Sequence, residues 1–231
     1  MQYQKILEYL YPPRCPVCDR IFAQGICESC GKKLVRISDD YCMKCGKPLE
    51  GDREEYCRDC RRRKHYFEQG RSLFSYQGRM RQSLYRLKYA NRREYAGVYG
   101  REAAVCLGSW IRRMRITRIV PVPLHFSRRQ ARGYNQAALI AREIGRQMEL
   151  PVDEKLLRRV RKTAPLKMLT GRERREALAG AFRVRGDFCR GERILLVDDI
   201  YTTGHTADAA AYCLRQAADC RVYVLTVAIG G

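Results

Sequence analysis

The chain has 231 residues, with 46 Lys and Arg against 25 Asp and Glu, a formal net charge of +21. At 45% hydrophobic residues it can build the core of one large domain, or of a medium domain beside a small one. No apolar run approaches the roughly 18 residues of a membrane span, and MQYQKILEYLYPPRC lacks the apolar centre of a secretory signal, so no membrane insertion and a cytoplasmic location are expected. The charge far exceeds the roughly 2–8 units that solubility asks of a domain, and it points to a polyanionic partner such as nucleic acid.

Cysteines dominate the first part of the chain. Cys15/Cys18, Cys27/Cys30, Cys42/Cys45 and Cys57/Cys60 form four C-x-x-C pairs, while Cys106, Cys189, Cys213 and Cys220 are scattered. Two residues between thiolates let a knuckle present both sulfurs to one tetrahedral Zn2+, and two knuckles complete a four-cysteine site. Residues 15–60 therefore predict two structural zinc ions. The simplest pairing is sequential, with Cys15, Cys18, Cys27 and Cys30 on one ion and Cys42, Cys45, Cys57 and Cys60 on the other; spacing alone leaves an interleaved pairing open. Four tandem knuckles without a βαβ setting argue against a redox role, and a cytosolic setting argues against disulfides. The first sixty or so residues have few large apolar side chains, so zinc, at about 10–16 kcal/mol per site, is expected to fold them. Four thiolates leave no open position for a substrate. His65, after the basic run 61–64, has no vacant ligand position to fill and reads as solvated.

From about Tyr66 the composition changes. SLFSY (72–76) reads as a short strand, and 79–90 as a helix with Met80, Leu84, Leu87 and Tyr89 near one side. A longer helix is expected over roughly 94–114. RIVPVPL (118–124) reads as a buried strand running into a loop, and Ala137, Ile140, Ala141, Ile144 and Met148 give 134–148 a helical spacing. The basic stretch 155–175 has no clear apolar stripe. Ile194 to Val197 reads as a buried strand, followed by an alanine-rich helix with Ala207, Ala210, Leu214 and Ala218 on one side. RVYVLTVA (221–228) is the last strand. Alternating strands and helices predict an α/β fold, a mostly parallel sheet covered on both faces, with ligands outside the carboxyl ends of its strands.

ILLVDDIYTTGHT (194–206) joins a strand, an acidic pair, a threonine-rich turn and a helix start. Backbone N–H groups at a helix start attract phosphate, and Gly204 allows close approach. Thr202, Thr203 and Thr206 add hydroxyl donors beside His205. Asp198 and Asp199 can accept from two vicinal sugar hydroxyls, directly or through a divalent metal. The combination suits a ribose 5-phosphate, and the stretch resembles the 5-phosphoribosyl-1-pyrophosphate (PRPP) signature of type I phosphoribosyltransferases. In PVPLHFSRRQARGYNQ (121–136), Arg128, Arg129 and Arg132 offer planar donors to a pyrophosphate, and Asn135 and Gln136 can cap the helix or touch ligand. Lys88 is a further candidate cation for a partner's phosphate. The eight Lys and Arg of 158–175 suit a mobile loop closing over pyrophosphate or a nucleic-acid backbone. His125 and His205 have no carboxylate partner in sequence and receive no acid–base role. Tyr201 reads as a packing residue.

Together these blocks resemble the ComF family, also called ComF/GntX-like phosphoribosyltransferases. The knuckles look like its double zinc ribbon, and YQGRMRQSLYRLKYANRRE (76–94), VPVPLHFSRRQARGYNQ (120–136) and VDDIYTTGHT (197–206) look like its characteristic blocks. The resemblance implies a double zinc-ribbon domain over 1–66 and a type I phosphoribosyltransferase-like domain over 67–231, a parallel sheet flanked by helices. It implies PRPP bound with Mg2+, and contact with single-stranded DNA in competence, DNA uptake and transformation. Asp198 and Asp199 would be the catalytic pair, and Thr202 to Thr206 the 5-phosphate site. An active enzyme that transfers phosphoribosyl from PRPP to an unidentified acceptor, releasing pyrophosphate, is the alternative. A zinc-ribbon adaptor for a DNA-uptake helicase of the competence machinery is a third reading. The chain has Leu166 where relatives often have Gln, Ala177 where they often have Asn, and Lys88-Tyr-Ala-Asn-Arg92 in place of Lys-x-x-Gly-Arg. Asn tolerates left-handed geometry, so that last turn is expected to survive. No segment resembles a base-recognising hood, which leaves the zinc domain as the candidate cover of the site.

Overall fold

The computed structural model describes residues 12–37, 39–49, 54–161, 180–186 and 190–230. Leu166, Ala177, Cys189 and the part of the basic stretch from 162 to 175 lie outside them. Two short helices, α1 (Glu28–Gly31) and α2 (Arg58–Arg62), each start directly after the first cysteine of a knuckle. Then come β1 (Gly70–Ser75), α3 (Gly78–Tyr89), α4 (Tyr95–Arg113), β2 (Arg118–Pro121), α5 (Phe126–Arg132), α6 (Gln136–Met148), β3 (Leu157–Arg159), β4 (Phe182–Val184), β5 (Arg193–Tyr201), α7 (His205–Ala217) and β6 (Arg221–Ile229). Every element expected from periodicity is present. Among the described residues the additions are the short helices α1 and α2, the strands β3 and β4, and α5, a basic helix without an apolar stripe, separated from α6 by Gly133 at φ +77°.

β1, β6, β5 and β2 form one sheet in that order, and every neighbouring pair is parallel. β5 is longer than its apolar run: it pairs with β6 through Tyr201, so the two aspartates lie within the strand. β2 pairs only as far as Val197, so Asp198 to Tyr201 extend past its end. β3 and β4 form a separate antiparallel ribbon that brackets residues 162–179.

Side chains on β5 alternate between two cores. Leu195 and Val197 join Leu225, Ile119, Ile140, Ile144, Tyr99 and Leu84 on one face. Ile194 and Leu196 join Val222, Val120, Phe182 and the alanines and Leu214 of α7 on the other. This double cover is why the strand is apolar without alternation.

The zinc-binding region shares these cores. Cys15, Val17, Cys30 and Leu34 belong to the first, Cys42 and Cys45 to the second. Residues 35–37 run antiparallel along the outer edge of β1, with Ile37 N donating to Leu73 O at 3.0 Å and Ser75 N to Val35 O at 2.8 Å. That pairing covers an edge that would otherwise be open. A Cβ on Gly46 would stand 2.7 Å from the Gly70 carbonyl oxygen, so the second knuckle pair seats backbone to backbone on the start of β1. Among the described residues no helix is long and apolar enough to cross a membrane.

Asp19 fastens the first knuckle pair to α4 and the residues before it: Arg92 Nη2 lies 2.6 Å from Oδ2 and Tyr95 Oη donates to Oδ1 at 2.5 Å. Asp19→Ala should lower stability by about 1–2 kcal/mol, since the pair is partly solvated, read as a melting temperature lower by a few degrees. An unchanged melt would mean that this contact does not hold the two parts together.

Candidate functional site

The four Sγ atoms of Cys15, Cys18, Cys27 and Cys30 lie within 4.8 Å of one another, and so do those of Cys42, Cys45, Cys57 and Cys60. The pairing is therefore sequential. Cys18 and Cys27 sulfurs are 3.8 Å apart, and Cys45 and Cys57 sulfurs 3.7 Å. A tetrahedron with Zn–S near 2.3 Å has edges of about 3.8 Å, so both donor sets fit structural Zn2+.

The acidic pair sits where β5 passes the end of β2. Asp199 is buried, 4% exposed, and Asp198 is half-buried. Lys88 Nζ, from the last turn of α3, is 2.5 Å from Asp199 Oδ2. Gln136 Nε2, from the first position of α6, donates to Asp199 Oδ1 at 3.3 Å. Asn135 caps α6 by accepting from Ala137 N and ties the loop after β2 by donating to Val122 O at 3.1 Å. Of the two amides, then, one caps and the other reaches the acidic pair. Burial, and next the adjoining Asp199, push the Asp198 carboxyl well above the usual carboxylate range, with Lys88 opposing.

Thr202, Thr203, Gly204, His205 and Thr206 line one small depression together with Asp198. Gly204, at φ +73°, is required there: a Cβ would meet the Tyr201 ring, whose Cζ would be 2.8 Å away. It is the N-cap of α7, it makes no side-chain cap hydrogen bond, and a helix N-terminus of this kind favours an anion. Thr203 Oγ1 and His205 Nδ1 are 2.6 Å apart. Tyr201 is buried and packs edge-on against Phe67, as a packing residue should.

His65 is not solvated. Its side chain is 2% exposed, with Nδ1 3.0 Å from Asp208 Oδ2 and Nε2 3.4 Å from Cys60 Sγ. The expectation failed because its partner, in the first turn of α7, is 143 residues away in sequence. Arg63 also reaches this turn, donating to Asp208 Oδ2 at 2.8 Å and to the Thr203 carbonyl at 3.1 Å. Sequence reasoning missed Arg63 and Asp208 altogether. The available signal was an acid flanked by alanines in the buried half of a helix.

The three arginines of 121–136 do not converge. Arg128 and Arg132, one turn apart on α5, line a cavity of about 590 Å³ with Lys88, Arg93, Tyr89 and Tyr134. Arg129 is rotated by about 100° from Arg128 and lines a second cavity, of about 770 Å³, with Lys155, Arg158, Arg159 and Arg185. In the first cavity, Arg93 lies 4.7 Å from the Tyr134 ring centroid and Arg132 5.2 Å from that of Tyr89. Tyr85 and Tyr89, 62% and 66% exposed, have ring centroids 4.8 Å apart. Asn91 has φ +53°, the left-handed turn expected of it in the glycine position.

Comparison with known proteins adds to this geometry. The double zinc ribbon domain family matches residues 6–61. Competence protein F of Haemophilus influenzae is 36% identical over 101 residues, 42% of this chain and 44% of that protein. DNA utilization protein YhgH of Escherichia coli O157:H7 is 33% identical over 142 residues, 58% of this chain and 61% of that one. Competence protein ComFC of Bacillus subtilis is 29% identical over 203 residues, 87% and 71%. The matches to the first two relatives thus span less than two thirds of their length. Among solved structures, adenine phosphoribosyltransferase from Leishmania donovani overlaps with a TM-score of 0.36 at 15% identity, over 63% of this chain and 68% of that one.

Two expected outcomes follow from the site itself. Atomic absorption should find two zinc ions per chain, and Cys42→Ser should retain one; two ions in the variant would contradict Cys42 as a zinc ligand. Asp198→Asn removes a carboxylate whose charged form the fold disfavours. Because its folded value lies above the unfolded one, the destabilisation is absent below the unfolded value, grows as pH rises through the folded value, and is complete above it. Thermal melts of the unliganded variant should therefore exceed wild type by about 2–4 °C near pH 8, the shift made by about 1 kcal/mol in a chain of this size. The gap should close toward pH 4, and a gap that widens there would contradict the sign.

Proposed function

We propose, from the premise that the chain belongs to the ComF family, that it binds PRPP with Mg2+ and contacts single-stranded DNA in the cytoplasm during DNA uptake. Lys88 is the observation that carries this reading. Its Nζ pairs with Asp199 at 2.5 Å, and its side chain also lines the arginine–tyrosine cavity. The two candidate anion sites thus share one cation.

In this reading the 5-phosphate takes the N–H groups and hydroxyls of residues 202–206, and the ribose hydroxyls face Asp198 and Asp199. The acidic pair offers oxygen ligands suited to Mg2+, which brings positive charge when bound. Exposed Tyr85 and Tyr89 offer ring faces to bases, with stacking worth about 1–3 kcal/mol per base, while Arg93, Arg128 and Arg132 meet phosphates. The net charge of +21 suits that partner, and so do relatives named for competence and for DNA utilization. A divalent cation on the acidic pair would release Lys88 toward the cavity, so PRPP–Mg2+ should tighten DNA binding, and DNA should tighten PRPP binding by the same factor.

One observation favours the enzymatic reading. Arg129, Lys155, Arg158 and Arg159 line the larger cavity beside the loop after β2, an environment suited to a pyrophosphate leaving group. There an acceptor lone pair would bond to C1 of the ribose as the C1–O bond breaks and pyrophosphate departs with the electron pair.

Titrating the zinc-loaded protein with PRPP–Mg2+ and with a labelled single strand separates these sites. Asp198→Asn/Asp199→Asn should weaken PRPP at least tenfold and leave DNA bound. Tyr85→Ala/Tyr89→Ala should weaken DNA by tenfold or more and leave PRPP bound. Absence of PRPP binding in the wild type would overturn the ligand assignment. Pyrophosphate release on adding an acceptor would decide for the enzyme.

A further inference from the structure

We infer that the second zinc ribbon braces the phosphate loop, with Arg63, His65 and Asp208 as positioning residues, so that the loop takes its ligand-ready shape only when that zinc site is filled. The inference rests on the reading of residues 202–206 as a phosphate site.

Asp208 is 1% exposed, and its partners come from one short segment directly after α2. Tyr66 N donates to Oδ1 at 3.1 Å, Arg63 Nη2 to Oδ2 at 2.8 Å, and His65 Nδ1 stands 3.0 Å from Oδ2. A buried carboxylate is tolerated only with such partners, and removing them leaves an uncompensated charge. The segment is short enough to be placed by its neighbour Cys60, a ligand of the second site. His65 touches that ligand directly, Nε2 to Sγ at 3.4 Å. Groups one bond removed from a metal centre orient its ligands, and here the same ring also fixes the first turn of α7.

Arg63 adds a second link. Its Nη1 donates to the carbonyl of Thr203, a residue of the loop itself, while its Nη2 holds Asp208. That charge matters to a phosphate. Asp208 N donates to Gly204 O, so its carboxylate sits in the first turn of the helix whose N-terminus is offered to the ligand. An unpaired anion there would oppose a phosphate; paired with Arg63 it does not. The first zinc ribbon has a different attachment. Its polar contacts among the described residues go to α3, α4 and the turn between them, through Ser83, Arg86, Arg92 and Tyr95. Coupling between zinc and phosphate is thus expected for one ion of the two, and it must run both ways.

The test uses the full zinc-loaded chain and its variants Arg63→Gln and His65→Phe, the latter keeping a ring against Phe67 while removing both imidazole nitrogens. Amide hydrogen exchange at residues 203–208 should quicken at least tenfold in each variant, with exchange across 221–229 unchanged as the control for folding. Release of one of the two zinc ions to a chelator should quicken as well. In the wild type, saturating PRPP–Mg2+ should slow the release of that ion and not of the other, and His65→Phe should abolish the difference. Unchanged loop exchange together with unchanged zinc release in both variants would overturn the brace. Failure of PRPP to bind the wild type would contradict the proposed function instead, and the ligand-free exchange and zinc release would still decide the brace.

Discussion

Parallel pairing of β1, β6, β5 and β2 forces all four carboxyl ends to one edge, and the chain's distinctive chemistry hangs from that edge. Each parallel connection needs a crossover, so helices cover both faces and the strands can be apolar throughout. After its first residue, Arg193, the charged residues of β5 appear only where it outruns β2: Asp198 and Asp199 extend beyond the last paired residue, Val197. α7 then begins after Gly204, which makes no side-chain cap hydrogen bond, and α3 ends with Lys88 against Asp199. Anion-attracting and cation-attracting groups are thereby set side by side.

The cysteine-rich region is part of this architecture rather than an appendage. One knuckle pair contributes Cys15, Val17 and Cys30 to the core under α3 and α4, the other contributes Cys42 and Cys45 to the core under α7. Residues 35–37 close the outer edge of the sheet between them. A region too poor in apolar side chains to fold by burial alone is held by metal and by a borrowed core. Its second half also borders the turn that leads into α7. Residues 62, 63 and 65 lie against Thr202, Thr203 and His205 across a cavity of about 780 Å³.

How far the chain could be read in advance depended on the range of each interaction. The apolar run at 194–197 and the acid–threonine–glycine pattern are local, and both stand where the sequence places them. Asn91 in the left-handed region was legible for the same reason: one residue's own backbone tolerance decides it. Cysteine spacing told how many sites to expect but left the pairing open, because two-residue knuckles are compatible with either partner. α5 was hidden because FSRRQAR carries no apolar stripe, and without its helical phase Arg128, Arg129 and Arg132 look like one cluster. The acid flanked by alanines marked Asp208 as needing a partner, but nothing local to it points to His65, 143 positions away.

The central claim is that the edge of β5 and the start of α7 form a phosphoribosyl site beside a basic, aromatic groove. A crystal structure of the zinc-loaded chain with PRPP and Mg2+ tests it most directly. The account predicts the 5-phosphate on the N–H groups of residues 203–206, the ribose hydroxyls at Asp198 and Asp199, and Lys88 drawn away from Asp199. Ordered PRPP at any other place, or an empty loop in crystals grown at saturating PRPP, would contradict it.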